Sequence, residues 1–349
     1  MVKVAMVTPW NVRCGIYTYS EKLAKALAEK DVETYIIRLP RFGNKTEMLL
    51  RNLADSVPEE ADVIHVQHEY GLYKGLERPF YDELQKHGKP ITSTFHATGN
   101  YNVDNQLVDR TEFIVHNQHC KNLLEKGTPV EATIIPHGVD VREPVETSKA
   151  KTLLGIPHEA EIVGYVGFIS PYKGLEDLIQ ALHPLEGTGM LIGGGWHAGP
   201  ETNYMRNLNG MSNKLLPGRN QWLGFVEEED LPKVYGAMDL VVVPSRYASE
   251  SGALLMAIGY GKPVLAREIP PFKEKLQFKV ETVSTREFTV WGKALDTWGT
   301  VPSLTKQIEY YLEHDVEREK LSEGAKLYAE KYSWSNIAEK HIQYYNSLL

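Results

Sequence analysis

A few residues in this chain are of the right type and spacing to handle an anionic ligand. The polar turn Ser245 to Ser251 follows the apolar run Leu240 to Val243, and Gly252-Ala253-Leu254-Leu255 then opens a helical pattern. A buried strand, a small-residue turn and a helix start make an anion site. The N–H groups of Ser251, Gly252 and Ala253 lack intrahelical partners, and the helix dipole adds partial positive charge. Gly252 lets an anionic oxygen approach the backbone closely. The same turn is also what an ordinary strand-to-helix connection looks like, so alone it leaves both readings open. Lys173 lies in the loop Phe168 to Gly174, just before the amphipathic segment Leu175 to Leu182. A lysine there opposes the helix dipole, a cost that makes sense above an anion and matters little in bulk water. His68 and His96 end strand-like segments, Glu69 follows His68, and Glu250 lies in the Ser245–Ser251 turn. Such groups can orient a hydroxyl, although a lone histidine at a strand end is more often structural. His65, inside its run, reads as a buried and satisfied histidine.

The elements that must position these residues repeat one pattern twice. Val2–Val7, Val32–Ile37, Asp62–Tyr70, Pro90–His96, Glu112–Asn117 and Thr133–Asp140 read as strands or strand-plus-loop segments. Ile16, Tyr19, Leu23 and Leu27 share one face of a helix after Gly15. After a polar linker, Val141–Lys151, the strands Glu161–Gly167, Met190–Trp196, Gln221–Val226, Leu240–Val243 and Val264–Ala266 follow. Ser333 caps a last helix with Trp334, Ile337, Ala338 and Tyr345 on one face. The expected fold is α/β with two Rossmann-like doubly wound parallel-sheet domains. Ligands of such sheets bind at carboxyl-end loops, where Gly15, Ile16, His96, Lys173 and Gly252 fall.

Composition narrows the partners. The 349 residues suit about two domains. A net charge of −8 with no Lys/Arg block argues against nucleic acid. Cys14 and Cys120 have neither metal spacing nor a disulfide framework, which fits a reducing cytoplasm. Met1 leads straight into a strand, and no run approaches the ~20 apolar residues of a membrane span. The expectation is a cytoplasmic chain without a leader, with peripheral membrane contact left open and the oligomeric state unassigned.

Three segments carry a family resemblance: Ile135–Asp140 (Ile-Pro-His-Gly-Val-Asp), Gly167–Gly174, and Pro244–Val264 with its Ser-Gly-Ala-Leu and Gly-Lys-Pro-Val. Asp62–Glu69 adds a fourth likeness. The chain resembles the retaining nucleotide-sugar glycosyltransferases of glycosyltransferase family 4, nearest in pattern to a mannosyltransferase-like branch. The resemblance implies a GT-B architecture: a Rossmann-like acceptor-side domain over residues 1–145, a donor domain over 146–325 facing it across a cleft, and a helix over 326–349 crossing back. It implies transfer of a hexosyl group, mannosyl as best guess, from a GDP- or UDP-linked sugar to a hydroxyl acceptor such as a glycan, lipid carrier or small metabolite.

The resemblance also assigns roles. Lys173, Ser251, Gly252 and Ala253 bind the donor diphosphate, with Gly15 and Ile16 at the opposite helix start. Gly224, Phe225 and Val226 lie beside the base. His96 touches the transferred sugar, Glu250 stands in for a family carboxylate, and His68 and Glu69 line the acceptor side. Retaining members are thought to use same-face attack, with the leaving phosphate taking the acceptor proton. The chain has no Asp-x-Asp, so no cofactor and no metal are expected. It departs from the pattern at the two family glutamates, here Ala248 and Met256, and at a family Gly-Gly, here Cys14-Gly15. The family arginine is missing from Phe168–Ser170, which leaves Arg246 or Arg267 to assist Lys173. Two other readings fit the same architecture: a nucleotide-sugar epimerase or phosphorylase, and a nucleotide-sugar binding protein with weak catalysis.

Overall fold

The computed structural model describes residues 2–12, 14–40, 45–195, 203–275, 278–281, 289–292 and 296–349. Arg13 and Trp196, both in the expected loops and strand ends, lie outside the described residues. The chain divides into two compact units, Met1–Gly138 with Tyr332–Leu349, and Val139–Lys331.

The first unit holds six strands: β1 (Lys3–Thr8), β2 (Glu33–Arg38), β3 (Val63–His68), β4 (Ile91–Phe95), β5 (Glu112–Val115) and β6 (Thr133–Ile134). They pair in parallel in the order β2-β1-β3-β4-β5-β6. β1 and β3 are buried at nearly every position, because helices cover both faces of a parallel sheet. The chain runs from β1 to β2 on one side and returns to β3 on the other. This reversal makes a switch point at the carboxyl ends of β1 and β3, where open α/β sheets bind ligands. The helix Gly15–Ala28 leaves from that end. Its Tyr19, Leu23, Ala26 and Leu27 pack with Ala338 and Tyr345 of the C-terminal helix Trp334–Leu348.

The second unit repeats the plan with β7 (Glu161–Val166), β8 (Thr188–Gly193), β9 (Asn220–Gly224), β10 (Leu240–Val243) and β11 (Val264–Arg267). Two elements were not foreseen: an antiparallel pair, β12 (Phe278–Glu281) with β13 (Thr289–Gly292), and the edge strand β14 (Asp296–Trp298). The main sheet is parallel in the order β14-β11-β10-β7-β8-β9, with its switch point between β7 and β10. The loops carrying Lys173 and Gly252 leave from that point.

The linker expected over Val141–Lys151 is structured and belongs to the second unit. Arg142 N–H donates to the Gly259 carbonyl at 2.9 Å and Val145 N–H to the Pro232 carbonyl at 2.9 Å. Glu146 then caps the helix Thr147–Leu153 through the N–H groups of Ser148 and Lys149. The division therefore falls between Gly138 and Val139, not at 145/146, because the backbone after Asp140 is already committed to second-unit partners.

Candidate functional site

The Lys173 loop and the Gly252 turn are held together by backbone contacts at the second switch point. Pro171–Lys173 form one turn of 3-10 helix, and Gly174 has φ +67°, a left-handed conformation that favours glycine. A Cβ there would stand 2.6 Å from the Pro244 carbonyl oxygen, so only glycine lets the loop lie against the strand exit. Arg246 N–H donates to the Tyr172 carbonyl at 2.8 Å, and the Tyr172 and Tyr247 rings stack at 4.9 Å. Gly167, where the Lys173 loop begins, packs against Ala253.

Lys173 itself is 9% exposed. Its ammonium lies over the Tyr172 ring, 4.7 Å from the centroid, and no carboxylate among the described residues pairs with it. Burial pulls its pKa down to about 8, since a desolvated ammonium is disfavoured. A buried cation without a counter-ion is expensive unless an anion arrives to pair with it.

The helix Gly252–Gly259 is capped by Ser251, whose hydroxyl accepts from Leu254 N–H at 3.3 Å. Ser251 N–H, expected to face a ligand, is instead bonded to Glu250 Oε1 at 2.9 Å. That leaves the N–H groups of Gly252 and Ala253, and space in front of Gly252 is open to at least 4 Å. Beside this turn, Gly194 N–H donates to the Gly224 carbonyl at 2.6 Å. A Cβ on Gly194, at φ +153°, would collide with the Gly167 carbonyl oxygen. These approaches bring Gly224, Phe225 and Val226 to the same end of the sheet, with Phe225 half exposed and Val226 packed on Gly193.

Three sequence-based expectations are corrected by this geometry. Glu250 is no free carboxylate: it is paired with Lys275 Nζ at 2.9 Å, the two side chains being 8% and 5% exposed. Arg246 and Arg267 do not stand over an anion site, because both pair with Asp177, and Arg246 also with Glu176 at 3.3 Å. His68, expected on an acceptor-lining loop, is fully buried and boxed by Tyr70, Tyr73, Tyr81 and Phe95. Glu69, one residue on, remains half buried at the start of the short helix Tyr70–Tyr73.

Among the described residues neither ring nitrogen of His68 has a hydrogen-bond partner. Burial pushes its pKa down to about 3, so it stays neutral. An unpartnered buried polar group costs about 1–3 kcal/mol, and an apolar replacement of similar shape can recover it. His68→Phe is therefore expected to raise unfolding stability by about 1 kcal/mol at pH 7. The gain should grow as pH falls below about 6.5, where the unfolded wild-type histidine binds a proton that the folded one refuses. Urea melts at pH 7 and 5 check this, and a destabilised variant at both would overturn it.

The first switch point holds the remaining residues. Cys14 caps the helix Gly15–Ala28, its Sγ accepting from Tyr17 N–H at 3.3 Å. Among the described residues the N–H groups of Gly15 and Ile16 have no partner, and Gly15 is exposed and open. His96 is half buried, and its N–H donates to the His68 carbonyl at 3.0 Å. Its ring meets Tyr19 at 4.9 Å and His116 at 5.3 Å. Burial first, then the neighbouring histidines, hold its pKa well below the ordinary histidine value. His65 is buried and satisfied as expected, bonded to Tyr345 Oη at 2.7 Å and Thr94 Oγ1 at 2.8 Å. Tyr70 Oη ties the loops together by donating to Asp104 at 2.8 Å. Sequence reasoning missed Lys275 and Gln67; the signal for Gln67 was a third polar residue, with His65 and His68, in a strand whose every position is buried.

Among the described residues no three His, Cys, Asp or Glu side chains gather as a metal-binding group, and no helix is long and apolar enough to cross a membrane.

Residues 146–328 match the family described as Glycosyl transferases group 1. An uncharacterized glycosyltransferase of Methanocaldococcus jannaschii is 24% identical, over 99% of this chain and 98% of that protein. A D-inositol 3-phosphate glycosyltransferase of Mycobacterium marinum is 24% identical over 69% of this chain, which spans 51% of that relative. Among solved structures, sucrose-phosphate synthase from Thermosynechococcus elongatus has a TM-score of 0.78 at 17% identity, covering 100% of this chain and 99% of that one. Anabaena HepE, solved in complex with UDP and glucose, has a TM-score of 0.78 at 18% identity over 99% and 100% of the two chains. These structures share the fold, two parallel-sheet α/β domains of the GT-B kind. The matched stretch takes in more than half of the sequence, including both Lys173 and the Gly252 turn, and on that ground the chain belongs to the glycosyl transferases group 1 family and is a glycosyltransferase.

Proposed function

We propose that the chain is a retaining hexosyltransferase taking its sugar from a GDP- or UDP-linked donor and passing it to a hydroxyl acceptor, without a metal. One observation carries this reading: among the described residues the buried Lys173 ammonium has no carboxylate partner, and it sits in a loop packed against the strand exit that leads to the open Gly252 helix start. The donor diphosphate is the missing anion. Breaking the anomeric C–O bond leaves negative charge on the departing phosphate oxygen, and Lys173 with the N–H groups of Gly252 and Ala253 stabilise it. The acceptor oxygen bonds to the anomeric carbon on the same face, and its proton passes to the departing phosphate. The base rests beside Gly224, Phe225 and Val226. Gly15 and Ile16 offer a second helix start to anionic oxygen. His96, neutral, hydrogen-bonds a hydroxyl and is no proton donor at pH 7; Glu69 keeps its acceptor-side assignment.

The branch resemblance supports mannose as the transferred sugar. HepE, solved with UDP-glucose in a further structure, supports including UDP-glucose among the donors. The test is a panel of GDP-mannose, UDP-glucose and UDP-N-acetylglucosamine against inositol phosphates, sugar phosphates and simple glycosides, with excess chelator throughout. Release of nucleotide diphosphate with an axial or equatorial product bond matching the donor is expected. Inverted product, or loss of all transfer on chelation, would overturn the retaining or metal-free part respectively.

A binding-only reading has its own support. Ala248 and Met256 replace the family carboxylates, and Glu250 is locked to Lys275. Protection from melting by a donor without turnover of any acceptor favours it, and an altered sugar on intact nucleotide favours an epimerase.

A further inference from the structure

We propose that Gln67 is a positioning residue for His96, its amide tying the tautomer and ring orientation of His96 to those of His65 and, through His65, to Tyr345 on the C-terminal helix. The proposal rests on the role given to His96 above, but its own test does not need turnover.

Gln67 is fully buried in β3, between Val66 and His68, themselves buried. A buried amide is costly unless both ends are paired, and here both are. Its Oε1 lies 2.9 Å from His96 Nε2, and its Nε2 lies 3.1 Å from His65 Nε2. One end of an amide only accepts and the other only donates. His65 Nε2 also lies 2.8 Å from Thr94 Oγ1, a hydroxyl that can donate or accept. With Gln67 bonded to both rings, one imidazole carries a proton on Nε2 and the other does not. With the carbonyl toward His96, His96 Nε2 donates and Nδ1 keeps its lone pair. His65 Nε2 then accepts from Gln67 N–H and from the Thr94 hydroxyl 2.8 Å away, and its Nδ1–H donates to Tyr345 Oη at 2.7 Å. Turning the amide round reverses both rings at once, so the two cannot be set independently.

This matters because His96 is neutral, and a neutral imidazole has two tautomers to choose between. The titratable groups facing it are Tyr19 from the helix Gly15–Ala28, His65 and His68 from β3, His116 after β5 and His137 after β6. No carboxylate is among them. Among the described residues Gln67 Oε1 alone is hydrogen-bonded to a ring nitrogen of His96. A lone pair held on Nδ1 makes the half-exposed ring a hydrogen-bond acceptor for a hydroxyl.

The experiment is histidine ring-nitrogen NMR on the full chain, with turnover of UDP-glucose or GDP-mannose followed in parallel. In the wild type His96 should show one tautomer, Nε2–H, without titrating between about pH 6 and 8. Gln67→Leu should give mixed tautomers and lower kcat roughly tenfold to a hundredfold, with nucleotide affinity changed less than about twofold. Gln67→Glu should leave His96 with both nitrogens protonated near neutrality and bring a new pH-dependent limb into kcat/KM. A purely structural role would lower stability and leave the His96 resonances in place, which overturns the proposal. A wild-type ring already mixed between tautomers overturns it too. Should Gln67→Leu not fold, Tyr345→Phe removes the far partner and should shift both His65 and His96; resonances unmoved in that variant count against the relay. If no donor turns over but the tautomer is fixed as described, the relay stands and the transfer reading falls.

Discussion

Replacing Lys173 by methionine is expected to make the ligand-free protein more stable and to strip it of donor affinity. The folded lysine ionises near pH 8, against 10.5 when unperturbed. A difference of that size corresponds to a burial cost of order 3 kcal/mol whenever the residue is protonated in the unfolded chain. Methionine keeps the apolar stem and removes the charge, so stability at pH 7 should rise by roughly 2–3 kcal/mol. The sign with pH follows from proton counting. Between about 8 and 10.5 the unfolded lysine binds more protons than the folded one, so wild-type stability climbs with pH across that window. The variant lacks that slope, and the two curves should meet above about pH 10.5.

The donor side moves the other way. A charge-assisted contact to a diphosphate in a desolvated site is worth about 2–4 kcal/mol, or roughly thirtyfold to a thousandfold in affinity. Calorimetry with UDP and GDP should show that loss in Lys173→Met. Wild-type affinity should weaken up to about tenfold per pH unit above 8, because only the ammonium form binds well, while the variant stays flat. A destabilised variant that still binds nucleotide tightly would falsify both the burial argument and the diphosphate assignment.

How far the sequence could reach is shown by the same residues. Central strands such as β1, β7 and β10 announce themselves as Val-rich or apolar runs, since a parallel sheet buries both faces and leaves the pattern little freedom. Ser251 as a cap, Gly252 as a helix start and Lys173 before Leu175 are local signals, set by neighbours a few residues away. Side-chain partners are not local. Glu250 meets Lys275, Asp177 meets Arg246 and Arg267, and no periodicity in the chain reports those pairs. His68 misled for a related reason. It ends a strand at the ligand-binding edge, but a strand's last side chain points to one face or the other, and this one points into an aromatic core. The division at Gly138 was blurred because Glu143, Pro144 and Glu146 look like a solvated linker, whereas their backbone is anchored to the second unit.

Removing the Glu250 carboxylate is expected to cost stability before it costs chemistry. Glu250 and Lys275 form a pair with almost no solvent, and Lys275 also donates to the Pro271 carbonyl at 3.4 Å. Burial, the largest single influence, lowers the Lys275 pKa, but Glu250 first, with Tyr328 and Glu274, more than offsets it and holds the lysine charged. Glu250→Ala then leaves an uncompensated buried ammonium, at about 3–5 kcal/mol. It also frees Ser251 N–H at the helix cap. The double variant Glu250→Met with Lys275→Met removes both charges and should recover most of that loss, since apolar replacement of a whole buried pair is often neutral or stabilising. A coupling energy of about 2 kcal/mol or more in the resulting cycle is the expected result. Donor affinity in the double variant reads the turn directly: a pair that only props up Ser251 should leave UDP binding within about tenfold of wild type, since the Lys173 contact is untouched. The opposite outcome is equally sharp. If Glu250→Ala stays within about 0.5 kcal/mol of wild type in stability and yet abolishes turnover, the carboxylate leaves Lys275 during the reaction and touches the sugar.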